Sequence, residues 1–276
     1  MSSRMQVAFR LLGSVVFIYV AVSLLVALLS CSMIFQPPRS TYKSLPYLVL
    51  LKTPDGKTLS VIHRVHPEAR FTLFFSHGNA EDLGMMGPYL DDYYHMGFSV
   101  FAWDYRGYGK STGKPSEKNV FQDLDVLYDY LVHTAKVPLD RIILHGRSLG
   151  GGAATEFARR HPVAGLILES TFVSAFRVVT RIPLFWGDKF LNLEKLSRVN
   201  CPVLVIHGKK DSVVGFWHGK KLYNRANSPK YKFWVDKADH NNLEHMAGAA
   251  YWKAIRDFAD TLVAVPDRES LVRRGG

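Results

Sequence analysis

One short stretch, residues 141–152, constrains the fold of this chain more than any other and reads RIILHGRSLGGG. Residues 142–144 form an apolar run with β-branched members, which predicts a strand buried on both faces. From Ala153 onward, apolar residues recur at helical spacing. Between the predicted strand and the predicted helix lies a Gly-x-Ser-x-Gly pattern centred on Ser148, typical of a sharp turn that presents a nucleophile at a strand end.

The glycines of this turn, Gly146 and Gly150, have a physical reason. A serine raised on a tight strand-to-helix turn has strained backbone angles, and side chains at the flanking positions would clash with the neighbouring strands and helix. The backbone N–H of Leu149 falls at the N-terminus of the following helix, where positive partial charge stabilises an oxyanion. We therefore take Ser148 as the candidate nucleophile and Leu149 as a candidate oxyanion donor.

Strands and helices alternate along the rest of the chain. Short apolar runs predict strands at 47–52, 58–65, 71–75, 99–103, 142–144, 165–168, 203–206 and 231–235. Further helices are predicted at 85–96, 116–134, 216–225 and 242–263. The first two strands are joined by Pro54-Asp55-Gly56, which has the residue types of a hairpin turn. This order predicts an α/β protein with a mainly parallel, doubly wound sheet and helices on both faces.

Before this domain, residues 11–29 are almost wholly apolar and carry no charge, which is long enough for a helix that crosses a bilayer. Four interpretations are open: an uncleaved signal anchor, a lipoprotein signal whose lipobox-like residues 28–31 would leave Cys31 lipidated, a cleaved secretory signal, and a buried core helix. Arginines and lysines occur on both sides, so the side of the membrane that holds the domain stays open. We expect an anchor or signal at 1–34, a catalytic domain at 35–265 and a charged tail at 266–276.

The net charge of +11 raises the question of an acidic partner. The chain has neither a long Lys/Arg run nor a nucleic-acid-binding motif, so we expect no nucleic-acid partner. An anionic membrane surface and a merely solvated basic surface both fit the charge. No metal-ligand spacing, dinucleotide fingerprint or phosphate loop occurs, so we expect no cofactor and no metal.

A serine nucleophile needs a base, and the base needs a carboxylate that orients it. Asp211 follows the strand at 203–206, and His240 follows the strand at 231–235. Because carboxyl ends of parallel strands lie along one edge of a sheet, both side chains are expected to approach Ser148. Asp239 and His245 are the alternatives for the acid and the base.

The loop after the third strand, His77-Gly78-Asn79-Ala80, is expected to supply the second oxyanion donor. The backbone N–H of Asn79 is our candidate, and a simple tight turn is the alternative. His77 and His207 both precede glycines at strand ends, where we expect them to form hydrogen bonds that shape the loops.

Five segments together resemble a known family: SHGNAEDLG, DYRGYGKS, GRSLGG, PVLVIHGKKDSVV and ADHN. They are similar to those of the membrane-associated α/β-hydrolase-domain proteins, in the branch that includes acyl-protein thioesterases (depalmitoylases) and bacterial relatives. The similarity spans residues 35–262 and implies an α/β-hydrolase fold with Ser148, Asp211 and His240 as its triad. The depalmitoylase branch has an N-terminal cysteine cluster, whereas this chain has a hydrophobic segment and the single Cys31.

Residues 170–200 are the one insertion able to cover such a site, and they are rich in aromatic side chains. Phe172, Phe176 and Trp186 are expected to contact substrate as part of a short lid, with ordinary packing on the sheet edge as the alternative. The expected activity is hydrolysis of an acyl ester or thioester on a small molecule, a lipid or a lipidated protein at the membrane, with no obligate protein partner. The alternatives are a serine peptidase or aminopeptidase of the same fold and a catalytically silent membrane scaffold.

Overall fold

The computed structural model describes residues 3–227 and 229–262. The strands are β1 (Leu48–Lys52), β2 (Thr58–Arg64), β3 (Thr72–Ser76), β4 (Ser99–Trp103), β5 (Ile142–Arg147), β6 (Gly165–Glu169), β7 (Val203–Gly208) and β8 (Lys230–Val235). The α-helices are α1 (Ser3–Ile34), α2 (Leu83–His95), α3 (Glu117–Tyr128), α4 (Gly150–Arg160), α5 (Asn192–Leu196), α6 (Trp217–Arg225), α7 (Leu243–Ala247) and α8 (Ala249–Thr261). Short 3-10 turns occupy Leu139–Arg141 and Phe176–Val178.

The eight strands form one sheet in the order β1-β2-β4-β3-β5-β6-β7-β8. β1 and β2 pair antiparallel, with Lys52 opposite Thr58, which confirms the predicted hairpin. β2 also pairs antiparallel with β4, and every other pairing is parallel. The mainly parallel sheet predicted from the alternating pattern is confirmed. It brings the carboxyl ends of β3, β5, β7 and β8 to one edge.

Both faces of the sheet are covered, as the apolar runs of the central strands predict. Successive side chains of β5 alternate between two cores: Leu144 packs in the one that includes Phe157 of α4, and Ile143 packs in the one that includes Ile255 of α8. The sheet is therefore a rigid layer between α3, α4 and α6 on one face and α2 and α8 on the other. Its strand ends hold the loops that follow them in fixed positions.

Two predicted helices are interrupted. The single helix predicted at 242–263 is wrong within the described residues, because Gly248 adopts a φ of +54° and separates α7 from α8. The helix predicted at 116–134 begins as expected, with the Ser116 side chain accepting a hydrogen bond from the Asn119 N–H, but a π-helical turn replaces its last part at Asp129–Thr134. The predicted tail at 266–276 and the last residue of the predicted C-terminal helix lie outside the described residues.

The N-terminal apolar segment forms α1, a single continuous helix. Among the residues that the structure describes, α1 has the one stretch long and apolar enough to cross a membrane, Arg4–Ile34, and the mean hydropathy of its most apolar 18-residue window is 2.6. Most of its side chains are exposed, so α1 is not the buried core helix that was one of the four interpretations.

Candidate active site

The turn between β5 and α4 has the strained geometry expected from its sequence. Ser148 has a φ of +50°, in the left-handed region that residues with side chains rarely adopt. A Cβ atom on Gly146 would lie 2.5 Å from the carbonyl oxygen of Gly150, and one on Gly150 would lie 1.9 Å from the carbonyl oxygen of Ser76. The close approach of α4 to β3 and β5 therefore requires both glycines, and it leaves the Ser148 side chain at the edge of the sheet.

The three residues proposed from the sequence meet at this edge. The Ser148 hydroxyl oxygen lies 3.0 Å from Nε2 of His240, and Nδ1 of His240 lies 2.9 Å from Oδ2 of Asp211. Because an ionised carboxylate can only accept, Nδ1 of His240 carries the hydrogen and Nε2 is free to accept the serine proton. His240 and Asp211 are buried and Ser148 is half-buried, so the serine is the member nearest to solvent.

Asp211 is held as a charged acceptor by its surroundings. Its Oδ1 accepts hydrogen bonds from the backbone N–H groups of Val213 and Val214, at 3.0 and 2.7 Å. Burial opposes ionisation, but hydrogen bonds from His207 and His240 outweigh it and hold the pKa of Asp211 well below its usual value. The carboxylate is therefore charged at neutral pH.

His207 is a second histidine beside this carboxylate. Its Nε2 donates to the carbonyl oxygen of Val214 at 2.7 Å and lies 3.3 Å from Oδ2 of Asp211. The bond to Val214 is the kind of loop-shaping hydrogen bond expected for His207, whereas its contact with the acid does not follow from the sequence. The available signal was its position, one residue past the predicted strand at 203–206 and four residues before Asp211.

The two alternative site residues are engaged elsewhere. Asp239 accepts hydrogen bonds from the backbone N–H groups of Ser212 and His240, both at 2.7 Å, so its carboxylate ties two loops together instead of contacting the histidine ring. His245 is exposed on α7. Neither shares the contacts of Asp211 and His240 with Ser148.

The loop after β3 lies against the same serine. Asn79 accepts hydrogen bonds on Oδ1 from the Tyr108 hydroxyl at 2.6 Å and from the Gln36 N–H at 2.9 Å. Its Nδ2 donates to the carbonyl oxygen of Ile34, the last residue of α1, at 2.8 Å. Within the part of the chain that the structure describes, the backbone N–H groups of Asn79 and Leu149 have no protein acceptor. Both are thus available to an oxygen atom of a ligand.

A salt bridge between Glu81 and Arg147 stabilises the loop after β3. Oε2 of Glu81 accepts a hydrogen bond from the Gly78 N–H at 2.7 Å, and its Oε1 pairs with Nη2 of Arg147 at 2.7 Å. Although burial disfavours its charge, Arg147 stays protonated because the nearby Glu81 and Glu169 carboxylates raise its pKa. Glu81 therefore links the loop after β3 to the residue that precedes Ser148.

Ser148 and His240 open into a cavity of about 430 Å³, within the range of small-molecule sites. Its lining is mostly apolar, and its charged side chains among the described residues are the Glu81–Arg147 pair and the histidine if protonated. Phe172 and Phe176, two of the residues expected to contact substrate, line this cavity. Trp186, the third residue expected to contact substrate, lies outside this lining. Its indole stands perpendicular to the Tyr19 ring, with centroids 5.7 Å apart, and Phe185 is the neighbour that lines the cavity.

Two acidic side chains near the lid, those of Glu169 and Asp188, are engaged in other contacts. Glu169 is buried beneath the cavity, where its Oε2 accepts from the Tyr251 hydroxyl at 2.7 Å and from Nε2 of His145 at 2.9 Å. Burial disfavours its charge, but the hydrogen bond from His145 and nearby positive charge outweigh burial and lower the pKa of Glu169 to about 2. Asp188 accepts from the backbone N–H of Phe176 at 2.8 Å. Among residues 3–227 and 229–262, no group of three or more His, Cys, Asp or Glu side chains is placed to hold a metal ion.

Comparison with protein families matches residues 67–192 to the model described as "Serine aminopeptidase, S33" (Hydrolase_4). That match includes Ser148 and ends before Asp211 and His240. Among curated proteins, the chain is 42% identical over 197 residues to the α/β-hydrolase domain-containing protein aho-3 of Caenorhabditis elegans, covering 70% of this chain and 59% of that protein. It is 39% identical over 199 residues to α/β-hydrolase domain-containing protein 17B of Xenopus tropicalis, covering 71% and 69%. Human protein 17C is 40% identical over 208 residues, covering 74% of this chain and 62% of that protein.

Solved structures show the same fold. The Pyrococcus furiosus esterase Pf2001 superposes with a TM-score of 0.70 at 19% identity and covers 83% of this chain and 98% of the esterase. The esterase RhEst1 from a Rhodococcus species superposes with a TM-score of 0.62 at 18% identity, covering 78% and 99%. At these identities the likeness concerns the fold, which is that of α/β-hydrolases.

Proposed function

Because this chain belongs to the α/β-hydrolase domain-containing protein family, we propose that it is a membrane-associated serine hydrolase that cleaves acyl ester or thioester bonds. The observation that carries the proposal is the pair of contacts that joins Ser148, His240 and Asp211 beside a mostly apolar cavity, at 3.0 and 2.9 Å. A hydroxyl becomes a competent nucleophile near neutral pH when an oriented base accepts its proton.

In the first half of the reaction, the Ser148 oxygen attacks the acyl carbonyl carbon while its proton moves to Nε2 of His240. The carbonyl oxygen becomes an oxyanion, which hydrogen bonds from the backbone N–H groups of Asn79 and Leu149 stabilise. This role is supported by the position of both residues in the cavity lining that includes Ser148. Asp211 stabilises the imidazolium without taking up the proton. The bond from carbon to the alcohol oxygen or thiol sulfur then breaks, and the leaving group takes the proton from His240.

The second half returns the enzyme to its starting state. A water molecule gives a proton to His240 and attacks the acyl carbon of the acyl-serine. The bond between that carbon and the Ser148 oxygen breaks, the serine recovers its proton from His240, and a carboxylic acid is released.

The cavity supports an uncharged acyl group as the part of the substrate that binds next to Ser148. Glu81 and Arg147 neutralise each other through their 2.7 Å contact, and the remaining lining is mostly apolar. Such a cavity stabilises an apolar chain and offers no uncompensated charge to an ionic group.

Association with a membrane rests on α1, with its apolar run of 19 residues at 11–29, and on the net charge of +11. We propose a transmembrane anchor as the means of attachment, with a lipid attached to Cys31 as the alternative.

The "Serine aminopeptidase, S33" description keeps a peptidase as the second candidate function. An aminopeptidase needs a carboxylate to bind the substrate's amine. Glu81 pairs with Arg147, Glu169 with His145, and Asp188 with the backbone of Phe176, which favours the esterase. Turnover of p-nitrophenyl esters and acyl thioesters, measured beside that of aminoacyl anilides, separates the two candidates.

The substitution Ser148→Ala tests the proposal directly. We expect it to abolish labelling by a fluorophosphonate probe and to lower kcat for an activated ester by on the order of 10⁴–10⁶-fold, because the attacking oxygen is gone. The matched control is Ser174→Ala, a buried lid serine outside the cavity lining, which should keep both labelling and turnover. Near-normal turnover by a folded Ser148→Ala protein would refute the assignment. A wild-type protein that neither labels nor turns over esters would favour the scaffold.

A further inference from the structure

One face of α1 packs on the catalytic domain. Ser23 and Ser30, seven residues apart, are each 2% exposed, and Val26 between them is half-buried, whereas Leu28 on the other side of the helix is 80% exposed. Positions three, four and seven apart share one face of an α-helix. The small serine side chains on this face allow the helix to approach the domain closely.

The lid and the loop after β3 contact α1 at two positions along the helix, Tyr19 and Ile34. The Tyr19 hydroxyl donates to the carbonyl oxygen of Leu184 at 2.8 Å, and the Tyr19 ring packs against Trp186. At the end of the helix, the Asn79 side chain binds the carbonyl oxygen of Ile34 at 2.8 Å. The end of α1 is thus joined to the asparagine whose backbone N–H is the candidate oxyanion donor.

Side chains of α1 complete the wall of the cavity that holds Ser148. Val26, Met33 and Ile34 line this cavity together with Phe176 and Val179 of the lid. The apolar part of the site therefore lies between α1 and the lid. Without α1, that side of the site would be open to solvent.

The apolar run of α1 reaches this wall at its C-terminal end. The uncharged run at 11–29 has 19 residues and is about 28 Å long as a helix, close to the thickness of a hydrocarbon layer. Val26 belongs to that run. The lid that packs on it also exposes apolar side chains, with Val179 84%, Ile182 63% and Trp186 59% exposed. Such exposure is unusual for a surface in water and typical of one that contacts lipid.

We propose that α1 is part of the substrate-binding site, and that the acyl chain of a membrane-resident lipid or lipidated protein enters between α1 and the lid directly from the bilayer. The proposal rests on the hydrolase function proposed above. It adds that Val26, Met33 and Ile34 determine the preference for long acyl chains. The helix is then a specificity element as well as an anchor.

The test uses the full-length protein reconstituted in phosphatidylcholine vesicles. Val26→Trp fills the cavity from the helix side, and Leu25→Trp places the same side chain on the exposed side of the helix, at a residue outside the cavity lining. We expect Val26→Trp to lower kcat/KM for p-nitrophenyl palmitate, relative to p-nitrophenyl butyrate, by at least about tenfold, since loss of apolar pocket contacts has effects of that size. Leu25→Trp should leave the ratio unchanged, and vesicle flotation should recover both variants equally.

Val179→Trp narrows the same opening from the lid side. Because Val179 is exposed, this variant should fold and tests the proposal even if Val26→Trp does not fold. It should lower the palmitate-to-butyrate ratio in the same direction. An active enzyme whose ratio is unchanged by both cavity variants, or changed equally by Leu25→Trp, would overturn the inference and leave the hydrolase proposal standing. A wild-type enzyme that hydrolyses neither ester would remove both proposals.

A separate experiment tests whether the substrate enters the site directly from the bilayer. A fluorogenic two-chain lipid ester, which does not exchange between vesicles, is placed either in the vesicles that hold the enzyme or in separate ones. We expect hydrolysis in the shared vesicles only. Equal rates in the two arrangements would show that the substrate reaches the site through water, contrary to the proposal.

Discussion

At the scale of single residues, two aspartates near His240 look alike in sequence and differ in their contacts. Asp211 reaches Nδ1 of the His240 ring at 2.9 Å, whereas Asp239 accepts from the backbone N–H of the same histidine at 2.7 Å. Only the first contact can set the tautomer of the ring and stabilise its charged form. Asp236 is farther removed still, because its carboxylate pairs with Lys209 at 2.5 Å.

These contacts predict how three substitutions rank. Asp211→Asn should lower kcat by about 10³–10⁴-fold with little change in KM, because an amide cannot hold the productive tautomer or balance the imidazolium charge. Asp239→Asn and Asp236→Asn should each lower kcat by less than about tenfold, since they weaken loop contacts and leave the ring contact intact. Kinetics on one activated ester would decide the ranking, after circular dichroism shows that each variant is folded. Retained activity in Asp211→Asn together with a large loss in Asp239→Asn would reverse our assignment.

At the scale of elements, the glycines of the turn serve the approach of α4 to the sheet as much as the turn itself. A Cβ atom on Gly150 would lie 1.9 Å from the carbonyl oxygen of Ser76, at the end of β3. A Cβ atom on Gly152 would lie 2.4 Å from the ring of Phe190, which belongs to the lid segment 170–200. Helix, strand and lid are therefore packed so closely that the position of the serine depends on all three.

Gly150→Ala should consequently reduce the free energy of unfolding by more than about 3 kcal/mol, because backbone atoms of β3 cannot move away as a flexible side chain could. Gly87 of α2 provides the control, since a Cβ atom there meets no atom within 4 Å. In Gly87→Ala, the gain in helix propensity is offset by the restriction that Pro88 places on the preceding residue, so the change should stay below about 1 kcal/mol. Denaturant unfolding of the detergent-solubilised proteins, followed by tryptophan fluorescence, measures both. Equal stability of the two variants would contradict the packing described here.

At the scale of the whole molecule, the N-terminal segment and the catalytic domain are less separate than the sequence indicates. The sequence predicts a boundary between residues 34 and 35, and α1 ends at Ile34. However, Met33 and Ile34 line the cavity, and Asn79 binds the end of the helix. The segment predicted as an anchor thus contributes to the site.

Removal of residues 1–31 should separate the two roles of α1. We expect a protein that stays in the supernatant in high salt, where the attraction of a basic surface for lipid is screened, and that still hydrolyses a short ester. Its preference for long acyl chains should be lost, because the wall at Val26 is gone. Sedimentation with vesicles, followed by assays with butyrate and palmitate esters, gives both results, with the full-length chain as the control. A truncated protein that still sediments would mean that the exposed lid side chains alone hold it at the membrane.

Much of the architecture follows from local patterns in the chain. Alternating apolar runs and helical spacing predict the mainly parallel sheet, and the residue types around Ser148 predict the strained turn. The convergence of Asp211 and His240 on that serine follows from a rule of parallel sheets, that strand ends share one edge. These predictions succeed because they depend on backbone geometry and on the order of elements, which a sequence reveals directly.

Other features depend on packing between segments distant in the chain. Phe185 and Trp186 are adjacent and both aromatic, yet they differ in their contacts. Phe185 lines the cavity, whereas Trp186 packs against Tyr19, which precedes it by 167 residues in the chain. The contact of His207 with Asp211 and the wall formed by α1 are of the same kind. A helical pattern also does not reveal the positive φ of Gly248. The direction of a side chain and the packing of one segment on another depend on the sum of many weak contacts across the fold. Only the tertiary structure therefore decides them.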